Sequence, residues 1–222
     1  MFKKFFAFLY LVTILGAQEN PLEAIKQEIS QAYSQFYHNY TFSVRGVEAQ
    51  IAGGNIADLT NPEPVINWRN QQFLRKDGLV SVGQRGHQVW IKYQVLADIQ
   101  VYKSKTMLKK DQNLDATNTY AKSVPFEYFN ALPIDRSYIG NASARSFLGA
   151  NTTLSVDKVG PRILIYKHEI FSATLKEGPI SLETSLQALE NGVLNQVIQA
   201  LNIRSKRVVQ VKITGLLKGE VL

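Results

Sequence analysis

Ile180, Leu182, Thr184, Leu186 and Ala188 occupy alternate positions, with Ser181, Glu183, Ser185 and Gln187 between them. A period of two puts these sets on opposite faces of one extended strand. A helix would need an apolar stripe recurring at three and four. The alternation is already present in Phe171, Ala173 and Leu175, and it returns in Val209, Val211 and Ile213. Arg162 to Lys167 reads as a nearly continuous apolar strand and Val197 to Leu201 as another. Lys176-Glu177-Gly178-Pro179, Asn191-Gly192 and the loop from Asn202 to Lys206 read as turns between them. Several short strands with regular turns, from Leu154 onward, predict a small barrel or clip.

The other end of the chain has a different grammar. Lys3 and Lys4 precede a charge-free run from Phe5 to Gly16, and the small residue Ala17 follows. That is the order of a secretory signal peptide. The run is short of the roughly 20 residues a membrane span needs. Residues 1–17 are therefore expected to be a cleaved leader, leaving an exported protein with no stable membrane insertion. The absence of cysteine excludes disulfides, thiolate catalysis and Cys-ligated zinc, and it suits an oxidising compartment. The formal charge is +7, but the bases are dispersed: Lys103 and Lys105, Lys109-Lys110, then Arg204, Lys206 and Arg207. Nucleic-acid binding would want a denser stripe with interleaved aromatics, so none is expected.

Asn20-Pro21-Leu22-Glu23 reads as a helix start, with Asn20 as cap and Pro21 at the first helical position. Leu22, Ile25, Ile29, Ala32, Tyr33, Phe36 and Tyr40 continue it as one apolar stripe. Thr41 to Ile51 then suggests strands broken near Gly46, and Gly53-Gly54 with Asn61-Pro62-Glu63-Pro64 marks a long loop. Leu79 to Val82 and Val89 to Val101 read as paired strands around a turn at Gly83 to Gly86. Asp111 to Asn118 is polar, and Tyr120 to Ser143 reads as irregular chain with one helical turn near Phe126 to Phe129. No internal repeat is legible. The expected fold class is α+β, mostly β. A helix-led N-terminal domain (18–97) precedes a β-only half with a small barrel or clip (98–222), joined near Ala97 to Lys103.

Catalytic constellations are missing. His38, His87 and His168 fall in different predicted elements, and none has a partner at helical ligand spacing. No Gly-x-Ser-x-Gly elbow is present. Gly83-Gln84-Arg85-Gly86 lacks the spacing and the following Lys of a phosphate loop. Asp98, Asp111, Asp115 and Asp157 sit singly at turn-like positions. Neither an enzyme nor a cofactor or metal site is expected.

Trp90-Ile91-Lys92-Tyr93-Gln94-Val95-Leu96-Ala97-Asp98-Ile99-Gln100-Val101, the stretch from Met107 to Leu114, and Ala188-Leu189-Glu190-Asn191-Gly192 followed by Asn202, Ser205 and Val208-Val209 together carry a resemblance. In order and spacing the chain resembles FlgA-type chaperones for flagellar P-ring assembly. The family has glycine near Lys110, at the place of Asn195, and beside Ser205 where this chain has Lys206. Arg162-Ile163 stands where the family often has Gly-Asp. The resemblance implies the SAF-type clip and a periplasmic chaperone whose partner is the flagellar P-ring subunit, of the FlgI type. Trp68, in a polar loop, and Arg204 and Lys206, in the basic turn, are the candidate partner-binding residues; Trp90, in an apolar strand, reads as core. Two other readings fit the export signal and the clip: a SAF-containing periplasmic factor of pilus or secretion-system assembly, and a secreted carbohydrate-binding module.

Overall fold

A computed structural model describes residues 21–55, 66–68, 72–83, 88–178 and 180–222. The expected leader, the Asn20 cap, the Asn61 to Pro64 loop, most of the Gly83 to Gly86 turn and His87 lie outside these residues. Three hydrophobic cores follow one another along the chain.

The first core lies under one helix, α1 (Pro21–Phe36), which buries Ile25, Ile29 and Tyr33. These positions form the stripe that the sequence announces. The helix packs on an antiparallel sheet of β1 (Phe42–Gly53), β2 (Ile66–Asn67), β3 (Asp77–Val82) and β4 (Val89–Ser104), in the order β1-β4-β3-β2. Val89, Ile91, Tyr93, Val95, Ala97, Ile99 and Val101 alternate along β4 and are all buried. β1 is one strand with register shifts at Val44/Gly46 and Ile51/Gly53, so the expected break at Gly46 is a bulge. Trp90 corrects the core reading. It shares parity with exposed Lys92, so it stands half-buried on the opposite face of β4.

β4 runs unbroken past Ala97 and pairs there with β5 (Thr119–Pro125), from Asp98↔Pro125 to Ser104↔Thr119. Phe126, just beyond β5, returns to the first core. No helical turn forms at Phe126 to Phe129; a short 3-10 helix lies instead at Arg136–Tyr138, where Asp135 caps the amide of Ser137.

The second core is the clip, and here the structure overturns the reading that no repeat is present. Leu108 matches Leu148, Asp111 matches Asn151, and Leu114 matches Leu154 at constant spacing. Asp111 and Asn151 both take left-handed backbone, with φ of 64° and 62°. The Asp111 amide donates to Ala144 O at 2.7 Å, and the Asn151 amide donates to Ser104 O at 2.8 Å. The Leu114 amide donates to Ala142 O, and the Leu154 amide donates to Tyr102 O. Asp115 accepts from the Thr117 hydroxyl in one copy; in the other, Asp157 accepts from the Ser155 hydroxyl, so acid and alcohol have changed places. Two short strands, β6 (Ala142–Ala144) and β7 (Val159–Pro161), complete this core.

The third core fills a closed barrel. β8 (Ile163–Ile165) and β11 (Gly192–Val193) pair beside it. Its five strands are β9 (Ile170–Glu177), β10 (Ile180–Ala188), β12 (Val197–Asn202), β13 (Val208–Gly215) and β14 (Lys218–Val221), closed by a parallel β14–β9 pair. Phe171, Ala173, Leu186, Ala188, Ile198, Ala200, Val211 and Ile213 fill its interior. The α+β, mostly β class with clip and barrel thus matches expectation. Asn191-Gly192 works differently from a simple hairpin dipeptide. Gly192 does not take a left-handed φ. It is glycine because a Cβ there would lie 2.9 Å from Ile213 Cγ1.

Candidate functional site

Clip and barrel are fastened by a polar seam. Tyr166, just after β8, donates its hydroxyl to Asp111 O at 3.2 Å and accepts from the Asn113 amide at 3.3 Å. Asn113 makes a paired contact with Ile163: its Nδ2 donates to Ile163 O, and its Oδ1 accepts from the Ile163 amide, each at 2.9 Å. Asn191 donates to Asp111 Oδ2 at 3.1 Å and accepts from the Lys167 amide at 2.8 Å. Partial burial raises the Tyr166 phenol above its usual range, so it stays neutral and able to donate at neutral pH.

The N-terminal body meets the clip more loosely. Tyr40 donates its hydroxyl to Pro133 O at 2.7 Å. Beside it lies a cleft of about 350 Å³ lined by His38, Thr41, Gln100, Tyr102, Asp135 and Arg136. Asp135 is committed to Ser137, accepting from its amide and its hydroxyl. The cleft has mixed charge and no aligned nucleophile and base, so its geometry offers an adjustable polar contact between the two bodies.

The candidate partner-binding residues are not brought together. Trp68 is half-buried and joins the aromatic cluster of the first core: its ring lies 6.4 Å from Tyr33, 4.9 Å from Phe73 and 6.3 Å from Tyr93. Arg204 and Lys206 are exposed in the β12–β13 turn, on the third core. Asn202 shapes that turn, since its Oδ1 accepts from the amides of Arg204 and Ser205 at 3.0 and 3.1 Å. Lys206 closes it with φ of 58°, and Asn195 has φ of 64°. These are two of the positions where the resembling family has glycine, and the backbone shows why.

Among the described residues no cluster of His, Asp or Glu could hold a metal ion, and no helix is long and apolar enough to cross a membrane. The feature that sequence reading missed is an edge. β10 pairs with β9 along its whole length, yet with β12 only at Leu186, Gln187 and Ala188. The signal was available in the lengths, since β10 spans nine residues and β12 six.

Comparison with known proteins gives this architecture a context. The structure is similar to the crystal structure of Salmonella FlgA in its open form, with a TM-score of 0.64 and 12% identity over 88% of this chain and 92% of that one. It is also similar to the flagellar protein FlgA from Thermotoga maritima, with a TM-score of 0.53 and 15% identity over 90% of this chain and 72% of that one. None of the curated protein sequences matches. At these identities the two structures speak for the fold. The family model for the "chaperone for flagella basal body P-ring formation" matches residues 99–221, which takes in β5, the whole clip and the whole barrel. The chain belongs to that family of P-ring formation chaperones.

Proposed function

We propose that this chaperone is exported to the periplasm, binds the P-ring subunit there, and holds it from self-association until it joins the ring around the rod. The observation that carries the reading is the family match across clip and barrel. It is supported by the Lys3-Lys4 start and the short apolar run that follows. Binding uses surface complementarity and strand edges, and needs no nucleotide or metal. Arg204, Lys206 and the exposed part of Trp68 contribute to the contact. The two halves, 18–97 and 98–222, change angle through the β4–β5 ribbon beside the Tyr40–Pro133 contact, which lets client capture and release differ in shape.

The test uses a clean deletion strain and the purified P-ring subunit. The deletion is expected to leave rods with few P-rings and poor motility, and the purified proteins to associate without added cofactor. Normal P-rings in the deletion strain, with no second copy of the gene, would count against the reading. N-terminal sequencing of the mature protein is expected to begin just after Ala17. Calorimetry is expected to resolve two transitions, with Ile29→Ala lowering only one; a single transition shifted as a whole would remove the two-unit division.

A further inference from the structure

The hairpin of β9 and β10 is longer than the barrel it belongs to. Its ladder is regular from Gln187↔Ile170 to Ile180↔Glu177, with no register shift. β14 covers β9 only at Ser172, Ala173 and Thr174. β12 covers β10 only from Leu186 to Ala188 and then leaves through the turn at Asn202. The outer part of the hairpin therefore projects as a two-stranded arm, and such an arm is marginal in water by itself.

Two patterns run on into this arm as though one more strand lay beside it. The first is apolar. Phe171, Ala173 and Leu186 fill the barrel, and strand parity puts Leu175 and Leu182 on the same face. These two are cross-strand partners, yet they are 37% and 58% exposed. The second pattern is the main chain. Ser172 turns its amide to Leu217, so the odd residues of β9 and the even residues of β10 bond to each other. Leu189, of odd parity, donates to Gln199 on β12. The N–H and C=O groups of Ser181 and Glu183, and the N–H of Ser185, thus point to the side that β12 has vacated, while Ser185 C=O faces the Ile203 amide at the end of the β12 ladder.

Only extended backbone satisfies such a row of groups, so the geometry selects a strand as occupant. Its inward side chains would meet Leu182 and Leu175, which asks for apolar residues at alternate positions. Its outward side chains would lie beside Ser181, Glu183 and Ser185; Lys176, the cross-strand partner of Ser181, is paired with Glu220, so a basic residue is favoured only opposite Glu183. The added strand would continue the line of β12, extending a ladder the barrel already has. Another long edge, β1, is blunted by two bulges and by Arg45 and Glu48, whereas β10 carries no bulge.

We propose that the free edge of β10 at Ser181–Ser185 accepts an extended segment of the P-ring subunit, apolar at alternate positions and basic opposite Glu183. The identity of the client rests on the chaperone reading above; the strand-accepting edge does not.

The test follows amide hydrogen exchange in the full mature chain. One arm adds purified P-ring subunit, and the other adds a synthetic peptide of alternating valine and lysine, about seven residues long. The expected result is that exchange at Ser181, Glu183 and Ser185 slows by about tenfold in both arms. Ser181→Pro removes an outward donor without touching the β9 ladder, and Leu182→Asp removes the apolar landing. Each is expected to weaken binding by about tenfold, the equivalent of one or two lost main-chain hydrogen bonds, with an unchanged melting curve. If the subunit binds while those amides exchange as before, the edge proposal falls and the chaperone reading stands. If the subunit does not bind but the peptide protects the edge, the chaperone reading falls and the edge stands. If the subunit does not bind and the peptide does not protect the edge, both fall.

Discussion

Leu108 and Leu148 exchange both of their main-chain hydrogen bonds, each amide donating to the other's carbonyl at 2.9 Å. They occupy the same place in the two halves of the clip, so this bridge joins equivalent positions, between the Asp111–Ala144 and Asn151–Ser104 bonds that also link the halves. Both side chains point into the second core. Leu148→Ala leaves a cavity at that junction and is expected to cost about 2–4 kcal/mol. Urea unfolding followed by circular dichroism would show it as a lowered midpoint. An unchanged midpoint would mean that the bridge is not structural.

Lys206 holds a left-handed backbone that a side chain disfavours by roughly 1 kcal/mol, while Asn tolerates it better. Lys206→Gly is therefore expected to raise stability by about 0.5–1 kcal/mol, and Asn195→Gly by less. Thermal melts of the two variants measured side by side decide the order.

Tyr33 accepts from or donates to the Tyr93 hydroxyl at 3.0 Å and lies 2.8 Å from Arg75 O. It carries one proton, so the consistent arrangement is donation to Arg75 O and acceptance from Tyr93. Burial raises the pKa of Tyr33, Tyr37 and Tyr40 above the usual phenol value. The folded chain thus keeps protons that the unfolded chain releases near pH 10. This stability is fully present below about pH 10 and falls as pH rises through the folded values, by about 1.4 kcal/mol per pH unit for each such group. A chemical-denaturation series from pH 8 to pH 12 would trace the loss, and Tyr33→Phe is expected to make it shallower.

Val211 is fully buried in the barrel, and Val209 on the same face of β13 is half-buried nearer its end. Val211→Asp places a carboxylate among apolar atoms and is expected to unfold the barrel, a loss of several kcal/mol. Val209→Asp is expected to cost clearly less. Arg204→Ala, in the exposed turn beyond Asn202, is expected to leave the melting curve within about 0.5 kcal/mol. Equal damage from all three would contradict the gradient of burial.

Legibility in the sequence followed the range of the interactions. α1 and the barrel strands were readable because their periods of three to four and of two are local, and Ile25, Ile29, Phe171 and Leu186 sit where those periods put them. The clip was not readable. Its two copies share little beyond Leu108/Leu148 and Leu114/Leu154, and its strands are single bridges and triplets closed by distant main-chain bonds. The apolar neighbours of Trp90 suggest core, but its parity with Lys92 places it on the outer face. Trp68 was read from a polar stretch of sequence, and its burial comes from Tyr33, Phe73 and Tyr93 folding onto it. The free edge of β10 is hinted at by the unequal lengths of β10 and β12, but the register that leaves Ser181 to Ser185 uncovered is set by the tertiary pairing.

The chain has two tryptophans, and both, Trp68 and Trp90, belong to the N-terminal body. Clip and barrel carry tyrosine and phenylalanine but no indole. Tryptophan emission is therefore a domain-selective optical probe: it reports on the aromatic cluster under α1 through Trp68 and on the opposite face of β4 through Trp90, and it is blind to melting of the barrel. A fluorescence titration that stays flat on adding P-ring subunit would say that the first body is undisturbed, while the strand ladder at Ser181 to Ser185 is being filled in the dark.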